Sequence, residues 1–185
     1  MSKVYAFIAD GMEEVECLAA MDVLVRAGVE VTLVAIGEKR QVTGSHHFTV
    51  MADRLFSEID PADADVLFLP GGMPGTNHLA EFKPLGEALK AAVASGRRVA
   101  AICAAPSVLG DLGILEGRRA ICYPGFEERL KGAEVAAGAG VVTDGNVTTA
   151  RGLGWALDLG LELTRLLKGQ ETARKIKAAI QYDQC

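Results

Sequence analysis

The chain has 185 residues, of which 24 are acidic and 19 are basic, and its formal net charge is −5 at pH 7. Half of the residues are hydrophobic and 23% are charged, so the chain has enough apolar material for a buried core, which excludes wholesale disorder. A net negative charge without a basic run argues against a specific nucleic acid or an anionic membrane as the main partner.

The first third of the chain predicts a βαβ unit followed by a small antiparallel excursion. Residues 3–9 form a β-branched and aromatic run that is typical of a buried strand, and residues 29–36 form a second one. Between them, residues 13–27 predict a helix that Gly28 ends. We therefore expect two parallel strands joined by a right-handed crossover. Shorter alternating segments within residues 41–51 predict an antiparallel pair.

The rest of the chain continues to alternate between strands and helices. We predict strands at 66–69, 98–103, 120–123, 141–143 and 147–150, and helices at 84–95, 106–112, 154–168 and 170–180. This alternation predicts a single α/β domain over residues 1–185, with helices on both faces of a doubly wound, mostly parallel sheet. Ligands of such sheets bind outside the carboxyl ends of the strands, which points to residues 10–16, 70–76 and 103–106.

Cys103 is the first candidate for chemistry. It ends an apolar strand and is followed by Ala104, Ala105 and the helix-initiating Pro106. A nucleophile at such a tight strand-to-helix turn needs small neighbours. Amides at the helix start would face the sulfur, favour the thiolate and lower the thiol pKa from about 8.5. A buried core cysteine that finishes a strand is the alternative interpretation.

Glu16 is the second candidate. Acidic residues favour a helix N-terminus, which accounts for Glu13 and Glu14 at the start of the first helix. Glu16 instead shares a helical stripe with apolar residues such as Met12 and Ala20. Burial would raise its pKa, and a protonated carboxyl beside a thiolate would donate a hydrogen bond and then move protons. An ordinary acidic residue of the first turn is the alternative.

Two glycine-containing loops are candidates to complete this site. Residues 71–75 follow a strand but lack the G-x-G-x-x-G spacing of a dinucleotide loop and the Lys-Ser/Thr of a phosphate loop. Gly71 and Gly72 would instead let backbone amides approach a reacting centre, as an oxyanion hole requires. Arg151 opens a second loop, R-G-L-G, which either borders the same edge of the sheet or is only a tight strand-to-helix turn.

The sequence contains no motif for a metal or a cofactor. The cysteines form no C-x-x-C pair, and no histidine lies near a cysteine pair; these residues are Cys17, Cys103, Cys122, Cys185, His46, His47 and His78. The adjacent His46 and His47 would point to opposite faces of a strand, so a shared metal is not expected. We predict all three histidines at the surface and expect neither a metal nor a cofactor.

The first helix carries little polar surface. Val15, Leu18, Met21 and Val25 cover most directions outside the stripe of Glu16. A helix that is apolar nearly all round is covered on both sides, so we expect one side on the sheet and the other in an isologous homodimer interface. No window approaches the roughly 20 apolar residues of a membrane span, and the N-terminus has no signal-peptide pattern. We therefore expect a cytoplasmic protein.

Four segments, ADGMEEVE, LPGG, AAICAAP and ARGLG, together resemble the ThiJ/PfpI superfamily in order and spacing. The resemblance covers essentially the whole chain and is greatest to the branch of the Parkinson's-disease-linked deglycase and its bacterial ThiJ-like relatives. It implies a flavodoxin-like fold, a homodimer, and a reactive cysteine hydrogen-bonded to a protonated glutamate. On this pattern Cys103 is the nucleophile, Glu16 is its partner, and Gly72 and Ala104 supply backbone amides to the pocket.

The chain departs from this family pattern at two positions. The branch often carries a histidine near the cysteine, in the strand after the elbow, where this chain has Tyr123; tyrosine is a poor base near neutrality because its ordinary pKa is about 10. A family Ser-Arg segment reads Ser45-His46 here, so His46 stands in place of an anion-binding arginine. Arg26 matches a family arginine near the dimer-related pocket, although Asp22 offers it an ion-pair partner four residues earlier.

The resemblance implies a cofactor-free, stress-protective enzyme for reactive dicarbonyls. Cys103 would add to the aldehyde of glyoxal or methylglyoxal, and Glu16 would move protons until water releases a hydroxy acid; the same chemistry would remove early glycation adducts. The same comparison excludes two other activities. A protease-like member would carry histidine directly after the cysteine, where this chain has Ala104. A glutamine amidotransferase would need a later histidine, and no histidine follows His78 in this chain. The alternative function is a non-catalytic redox sensor or chaperone that uses an oxidisable Cys103.

Overall fold

A computed structural model describes residues 2–182, which fold into a central sheet flanked by helices; Cys185 lies outside the described residues. The strands are β1 (Lys3–Ile8), β2 (Glu30–Ala35), β3 (Gln41–Thr43), β4 (Thr49–Met51), β5 (Arg54–Leu55), β6 (Val66–Leu69), β7 (Arg98–Ile102), β8 (Arg119–Ala120), β9 (Glu134–Val135), β10 (Val141–Asp144) and β11 (Val147–Ala150). The α-helices are α1 (Glu14–Arg26), α2 (Gly75–Glu81), α3 (Lys83–Ala94), α4 (Pro106–Asp111), α5 (Ala156–Lys168) and α6 (Gln170–Ala179).

The central sheet has seven strands in the order β10-β11-β7-β6-β1-β2-β5. All neighbouring strands are parallel except β10 and β11. The winding direction reverses between β1 and β6, because the chain proceeds from β1 to β2 on one side and from β6 to β7 on the other. This arrangement confirms the predicted flavodoxin-like, doubly wound fold. Loops that leave β1 and β6 toward opposite faces open a crevice at the carboxyl ends of these strands.

Side chains alternate between the two faces of the sheet, as the two-residue period of a strand requires. Along β1, Val4, Ala6 and Ile8 belong to the core layer that contains residues of α1 and α5. Tyr5 and Phe7 point into the other layer, which contains residues of α2, α3 and α4. Because β1 is covered on both faces, its sequence is an almost continuous apolar run, and each large buried side chain stabilises the fold by ~1.5–3 kcal/mol.

Helix α1 begins just after Glu13, whose carboxylate accepts the N–H of Glu16 at 2.6 Å and caps the helix. One side of α1 packs on the sheet, and a second side packs on α5. Gly160 of α5 permits this close approach, since a Cβ there would lie 2.9 Å from the Ala20 carbonyl oxygen. Of the apolar residues that the sequence left for a partner subunit, only Met21 is buried within the chain, while Val15, Leu18 and Val25 stay exposed.

The structure corrects the strand predicted at 120–123. The described strand β8 ends at Ala120 and pairs with β9 in a separate two-stranded sheet rather than in the central one. The N–H groups that follow Ala120 bond outside that small sheet. The Ile121 N–H donates to the Thr149 hydroxyl at 3.0 Å, and the Tyr123 N–H donates to the carbonyl oxygen of Cys103, just after β7, at 2.8 Å. These partners replace the ladder that a longer strand would need.

Three further differences lie in short elements. Helix α2 and strands β5 and β9 were not predicted, because α2 begins with glycine and threonine, both poor helix formers, and the two strands have only two residues each.

His46 and His47 lie in the turn between β3 and β4 rather than on a strand, and both are exposed, as is His78. None of the helices within residues 2–182 is long and apolar enough to cross a membrane.

Candidate active site

Cys103 lies directly after β7, at the turn into α4. Its backbone φ is 64°, in the left-handed region, where a residue with a Cβ costs roughly 1–2 kcal/mol. Two hydrogen bonds hold this conformation: the Cys103 N–H donates to the Ala150 carbonyl at 2.9 Å, and the Cys103 carbonyl accepts the N–H of Tyr123 at 2.8 Å. The chain thus has a strand-to-helix elbow with the cysteine at its tip, and the thiol is only partly buried.

Glu16 reaches the same point from α1. This residue is 1% exposed, and its carboxyl lies within hydrogen-bonding reach of the Cys103 thiol. The Gly71 N–H donates to Glu16 Oε2 at 3.1 Å. Only glycine fits at position 71, because a Cβ there would lie 2.5 Å from Glu16 Oε2 and 2.6 Å from the Cys103 Cβ. The loop after β6 therefore passes tightly against both functional side chains.

Burial raises the pKa of the Glu16 carboxyl to about 7. The negative charge of Glu13 also raises this pKa, whereas the backbone amides of Gly71 and Leu153 lower it. A carboxyl with such a pKa exchanges its proton near neutrality, which suits a group that both gives and takes protons during a reaction. Glu16 is thus a buried, proton-exchanging group rather than an ordinary acid of the first helical turn.

The Cys103 thiol differs from the expectation of a lowered pKa. Burial is the largest influence and, with the charge and hydrogen bond of Glu16, raises the thiol pKa to about 12, while the amides of Ala104 and Gly72 lower it. The influence of Glu16 depends on its own proton, because an ionised carboxylate repels a thiolate whereas a protonated carboxyl donates a hydrogen bond to it. Cys103 and Glu16 therefore titrate as a pair that shares one proton near neutrality.

The backbone amides of Gly72 and Ala104 face the Cys103 sulfur. One amide comes from the loop after β6 and the other from the elbow itself. Gly72 has φ = 88°, and a Cβ at this position would collide with the Glu13 backbone N, so glycine is required. Two amides beside the sulfur stabilise negative charge on it, or on an oxygen that forms next to it.

The DJ-1/PfpI family model matches residues 2–166. The chain belongs to the DJ-1/PfpI family. It is 36% identical to DJ-1 homolog B of Arabidopsis thaliana over 96% of this chain and 41% of the plant protein, so it spans less than half of that relative. It is also 36% identical to a deglycase of Pyrococcus abyssi, over 90% of this chain and 99% of that protein.

A glutathione-independent glyoxalase of Caenorhabditis elegans is 32% identical over 89% of this chain and 87% of the nematode protein. Among solved structures, that of oxidised DJ-1 from Toxoplasma gondii superimposes with a TM-score of 0.92 at 32% identity and covers 100% of both chains. The structural similarity covers the whole chain, so it includes the sheet and the loops around Cys103. The DJ-1/PfpI fold therefore accounts for the architecture around Cys103.

In this DJ-1/PfpI chain, His46 faces the acidic residues at the start of α1. His46 Nδ1 lies 3.3 Å from Glu14 Oε2 and 3.6 Å from Glu13 Oε1. Burial acts to raise the pKa of Glu14, but the amides of Glu14, His46 and Phe48 donate to its carboxylate and hold the pKa below its ordinary value. Glu13, Glu14 and His46 each offer one atom that could bind a metal, and these atoms lie within 4.8 Å of one another. The two carboxylates already have structural partners, because Glu13 caps α1 and Glu14 accepts the N–H groups of His46 and Phe48. The cluster fastens the β3–β4 turn to α1.

The R-G-L-G loop and Tyr123 border the opening of the site. The Tyr123 ring packs on Gly152, where a Cβ would lie 3.2 Å from Tyr123 Cδ2. The Leu153 amide lies beside the Glu16 carboxyl, and Arg151 is exposed, with its N–H donating to the Gly140 carbonyl at 2.8 Å. Of the two interpretations of this loop, the structure favours the one in which it borders the site.

Arg26 is not part of this arrangement within one chain. It lies at the opposite end of α1 from Glu16 and pairs with Asp22 at 2.6 Å, with 51% and 56% of the two side chains exposed. Cys17 is fully buried, and burial raises its thiol pKa to about 12, so it packs in the core. Cys122 is also buried, on the opposite face of the sheet from Cys103, and burial raises its pKa to about 11.

Two cavities of the DJ-1/PfpI chain lie away from Cys103 and Glu16. One of about 550 Å³ lies at the carboxyl ends of β1 and β2 and includes Asp10, Lys39 and His78. Another, of about 560 Å³, lies between β10, α5 and α6. Cavity size therefore does not identify the site, which is identified instead by the contact between two buried reactive groups and the amides around them.

Sequence reasoning missed two contributors to the site. Glu13 looked like an ordinary helix-start acid, but it caps α1 and its charge raises the pKa of Glu16. The three-residue spacing from Glu13 to Glu16 was the available signal, because helix caps act over that distance. The amide of Leu153 had no signal at all, since every non-proline residue carries the same backbone N–H.

Proposed function

We propose that the chain is a cysteine-dependent, cofactor-free enzyme that converts reactive dicarbonyls such as glyoxal and methylglyoxal into hydroxy acids in protection against carbonyl stress. The observation that carries this proposal is the contact between the Cys103 thiol and the buried Glu16 carboxyl, with two backbone amides beside the sulfur. Relatives named deglycase and glutathione-independent glyoxalase support it.

The first step is the addition of sulfur to the aldehyde carbon. The Cys103 thiolate forms the new C–S bond, the carbonyl π electrons move to oxygen, and Glu16 gives its proton to that oxygen. The amides of Gly72 and Ala104 are positioned to donate to the oxygen while it is negative. The product is a neutral hemithioacetal beside an ionised Glu16.

The second step moves hydrogen between the two substrate carbons. The Glu16 carboxylate takes the proton from the carbon bonded to sulfur, the electrons of that C–H bond form the C=C bond of an enediol-like intermediate, and the π electrons of the neighbouring carbonyl move to its oxygen. Glu16 then returns the proton to the neighbouring carbon, while the hydroxyl proton of the first carbon passes to the oxygen of the second. The product is a thioester of a 2-hydroxy acid.

Hydrolysis restores the starting state. Water adds its oxygen to the thioester carbon and gives a proton to Glu16, the C–S bond breaks, and Cys103 leaves as the thiolate. The net reaction adds one water to methylglyoxal and yields lactic acid, with no oxidant or reductant. Release of early glycation adducts from proteins would begin with the same attack of Cys103 on the carbonyl carbon.

The second candidate function is a non-catalytic redox sensor or chaperone. Peroxide oxidises a thiolate to sulfenic and then to sulfinic acid, and the Cys103 sulfur is only partly buried. Cys122 lies on the opposite face of the sheet, so it is not placed to capture the sulfenic acid as a disulfide. The oxidised form of DJ-1 from Toxoplasma gondii, a structural relative, favours this candidate.

Lactate formation from methylglyoxal, compared between the wild type and Cys103→Ser, tests the enzymatic proposal. We expect steady-state lactate from the wild type and a loss of at least about a hundredfold in the variant, because a serine hydroxyl is a much weaker nucleophile than a thiolate. Unchanged activity in the variant would contradict the proposal. No turnover by either protein, together with selective oxidation of Cys103 by peroxide, would favour the sensor.

We also propose an isologous homodimer that forms through α1. Val15, Leu18 and Val25 remain 50%, 41% and 56% exposed along one side of this helix, although α5 covers another side. An apolar strip of this kind is stabilised when a second copy excludes water from it. Sedimentation measures the state directly, and a monomer at micromolar concentration would refute the proposal.

A further inference from the structure

Three large apolar side chains stay exposed on the loops that build the Cys103 site. Met73, Tyr123 and Leu153 are 44%, 51% and 49% exposed. Single exposed apolar residues are normal on a protein surface, whereas these three lie on loops of the same site. They indicate that the opening of the site offers apolar surface to a substrate.

Each of these residues belongs to a loop that also supplies a backbone group to the catalytic pair. Met73 follows Gly72, whose amide faces the sulfur. Tyr123 donates its N–H to the Cys103 carbonyl at 2.8 Å, and the Leu153 amide lies beside the Glu16 carboxyl. The three loops are therefore held at the site by their backbones, and the Tyr123 ring lies against Gly152, the residue before the one whose amide reaches Glu16.

Tyr123 is held by both its backbone and its ring. Its N–H is bonded to Cys103, and its carbonyl accepts the Phe126 N–H at 3.1 Å. Its ring rests on Gly152, where a Cβ would lie 3.2 Å from Cδ2 and 3.7 Å from Cε2. A ring supported on one side and half exposed offers a flat apolar surface that loses little conformational entropy when a ligand packs on it.

We infer that Tyr123 determines substrate specificity, and that its ring favours dicarbonyls with an aryl or bulky alkyl group beside the reacting aldehyde over methylglyoxal. This inference rests on the proposed function. An aryl group can pack on the Tyr123 ring face-to-edge or offset, whereas the methyl group of methylglyoxal is too small to cover it. Aromatic pairs of this kind discriminate by roughly three- to tenfold.

The test is the ratio of kcat/KM for phenylglyoxal to kcat/KM for methylglyoxal in the wild type, Tyr123→Ala and Tyr123→Phe. We expect the ratio to fall roughly three- to tenfold in the alanine variant and to stay within about twofold in the phenylalanine variant, which keeps the ring. Phe48→Ala is the matched control, because it removes a 69% exposed aromatic ring from the β3–β4 turn. Its ratio should equal that of the wild type.

Alkylation of Cys103 provides a second readout that needs no turnover. The thiolate displaces chloride from 2-chloroacetophenone or chloroacetone, which carry the same aryl and methyl groups, and mass spectrometry follows the modified peptide. Absence of turnover in the wild type with a Tyr123-dependent alkylation ratio would refute the proposed function but not the role of Tyr123. The role of Tyr123 is refuted if Tyr123→Ala keeps the wild-type ratio or slows both reagents equally. If circular dichroism shows that Tyr123→Ala is unfolded, Tyr123→Leu, which keeps an apolar side chain but removes the flat ring, replaces it in both assays. The role of Tyr123 is then refuted if Tyr123→Leu keeps the wild-type aryl-to-methyl ratios.

Discussion

Replacement of Glu16 by glutamine separates the two ways in which the Cys103–Glu16 pair can hold its proton. Between about pH 7 and pH 12 the pair carries one negative charge, either on the Cys103 sulfur, as the proposed mechanism requires, or on the Glu16 carboxylate. Glutamine cannot ionise, but its amide N–H₂ can still donate to the sulfur. The thiol of the variant therefore titrates alone, without the repulsion of a neighbouring carboxylate.

The two possibilities differ greatly in magnitude. If the carboxylate carries the charge, the thiol pKa of about 12 lies 12 − 7 = 5 units above neutral pH, so roughly one thiol in 100,000 is ionised at pH 7. Removal of the carboxylate would then make Cys103 much more reactive. If the sulfur carries the charge, the variant loses only part of a charge-assisted hydrogen bond, worth about 1.5–3 kcal/mol in full. At about 1.36 kcal/mol per unit, its thiol pKa should rise by about one unit.

Alkylation of Cys103 by iodoacetamide between pH 5 and pH 10, mapped by mass spectrometry, measures this difference. We expect the wild-type rate to reach half of its plateau near pH 7, where the pair loses its first proton, and the Glu16→Gln midpoint to lie about one unit higher. Cys103→Ser gives the background from the other cysteines. The reasoning is wrong if the variant reacts faster than the wild type at pH 7, or if the wild-type rate still rises tenfold per pH unit at pH 9.

Three other substitutions test the geometry of the site and its supports. Gly71→Ala introduces a methyl group between Glu16 and Cys103. It should lower kcat for methylglyoxal at least about tenfold and leave the circular dichroism spectrum unchanged. Normal turnover would mean that the loop moves aside freely. Cys103→Gly should be more stable than Cys103→Ala by about 1 kcal/mol in urea denaturation, because glycine tolerates φ = 64°, and equal midpoints would show that the elbow is not strained. Glu14→Gln should lower the free energy of unfolding by about 1–2 kcal/mol at pH 7. The pKa of Glu14 in the folded state is below its unfolded value of about 4.3. The loss of stability in Glu14→Gln should therefore persist above about pH 4.3 and shrink as the pH falls through the folded pKa. A loss of stability that does not change with pH would contradict the role of the Glu14 charge.

The signal in the sequence was stronger for Cys103 than for Glu16. Cys103 had a local signal, since an apolar strand, two alanines and a proline surround it, and local sequence decides where a tight turn fits. Glu16 had only the apolar stripe that it shares with its helical neighbours. Its contact with the Gly71 N–H joins residues 55 positions apart, and no local pattern encodes such a contact.

The electrostatics of the pair were not predictable from the elbow alone. A cysteine before a helix start is expected to be acidified, but burial and Glu16 act against that effect on Cys103. Helix α4 has only 6 residues, so its N-terminus is a modest source of positive potential. The proton balance depends on how much solvent each group loses, which is a property of the packed structure.

The amino-acid sequence by itself determined the alternation of strands and helices, the two faces of the sheet and the position of the elbow, because residue periods and turn residues act over a few neighbours. Tertiary structure alone decided that α5 covers α1, that residues after Ala120 leave the sheet, and that Glu16, Gly71 and Cys103 meet at one point. Those outcomes depend on which distant surfaces exclude water from each other, and the shared proton of the pair is their consequence.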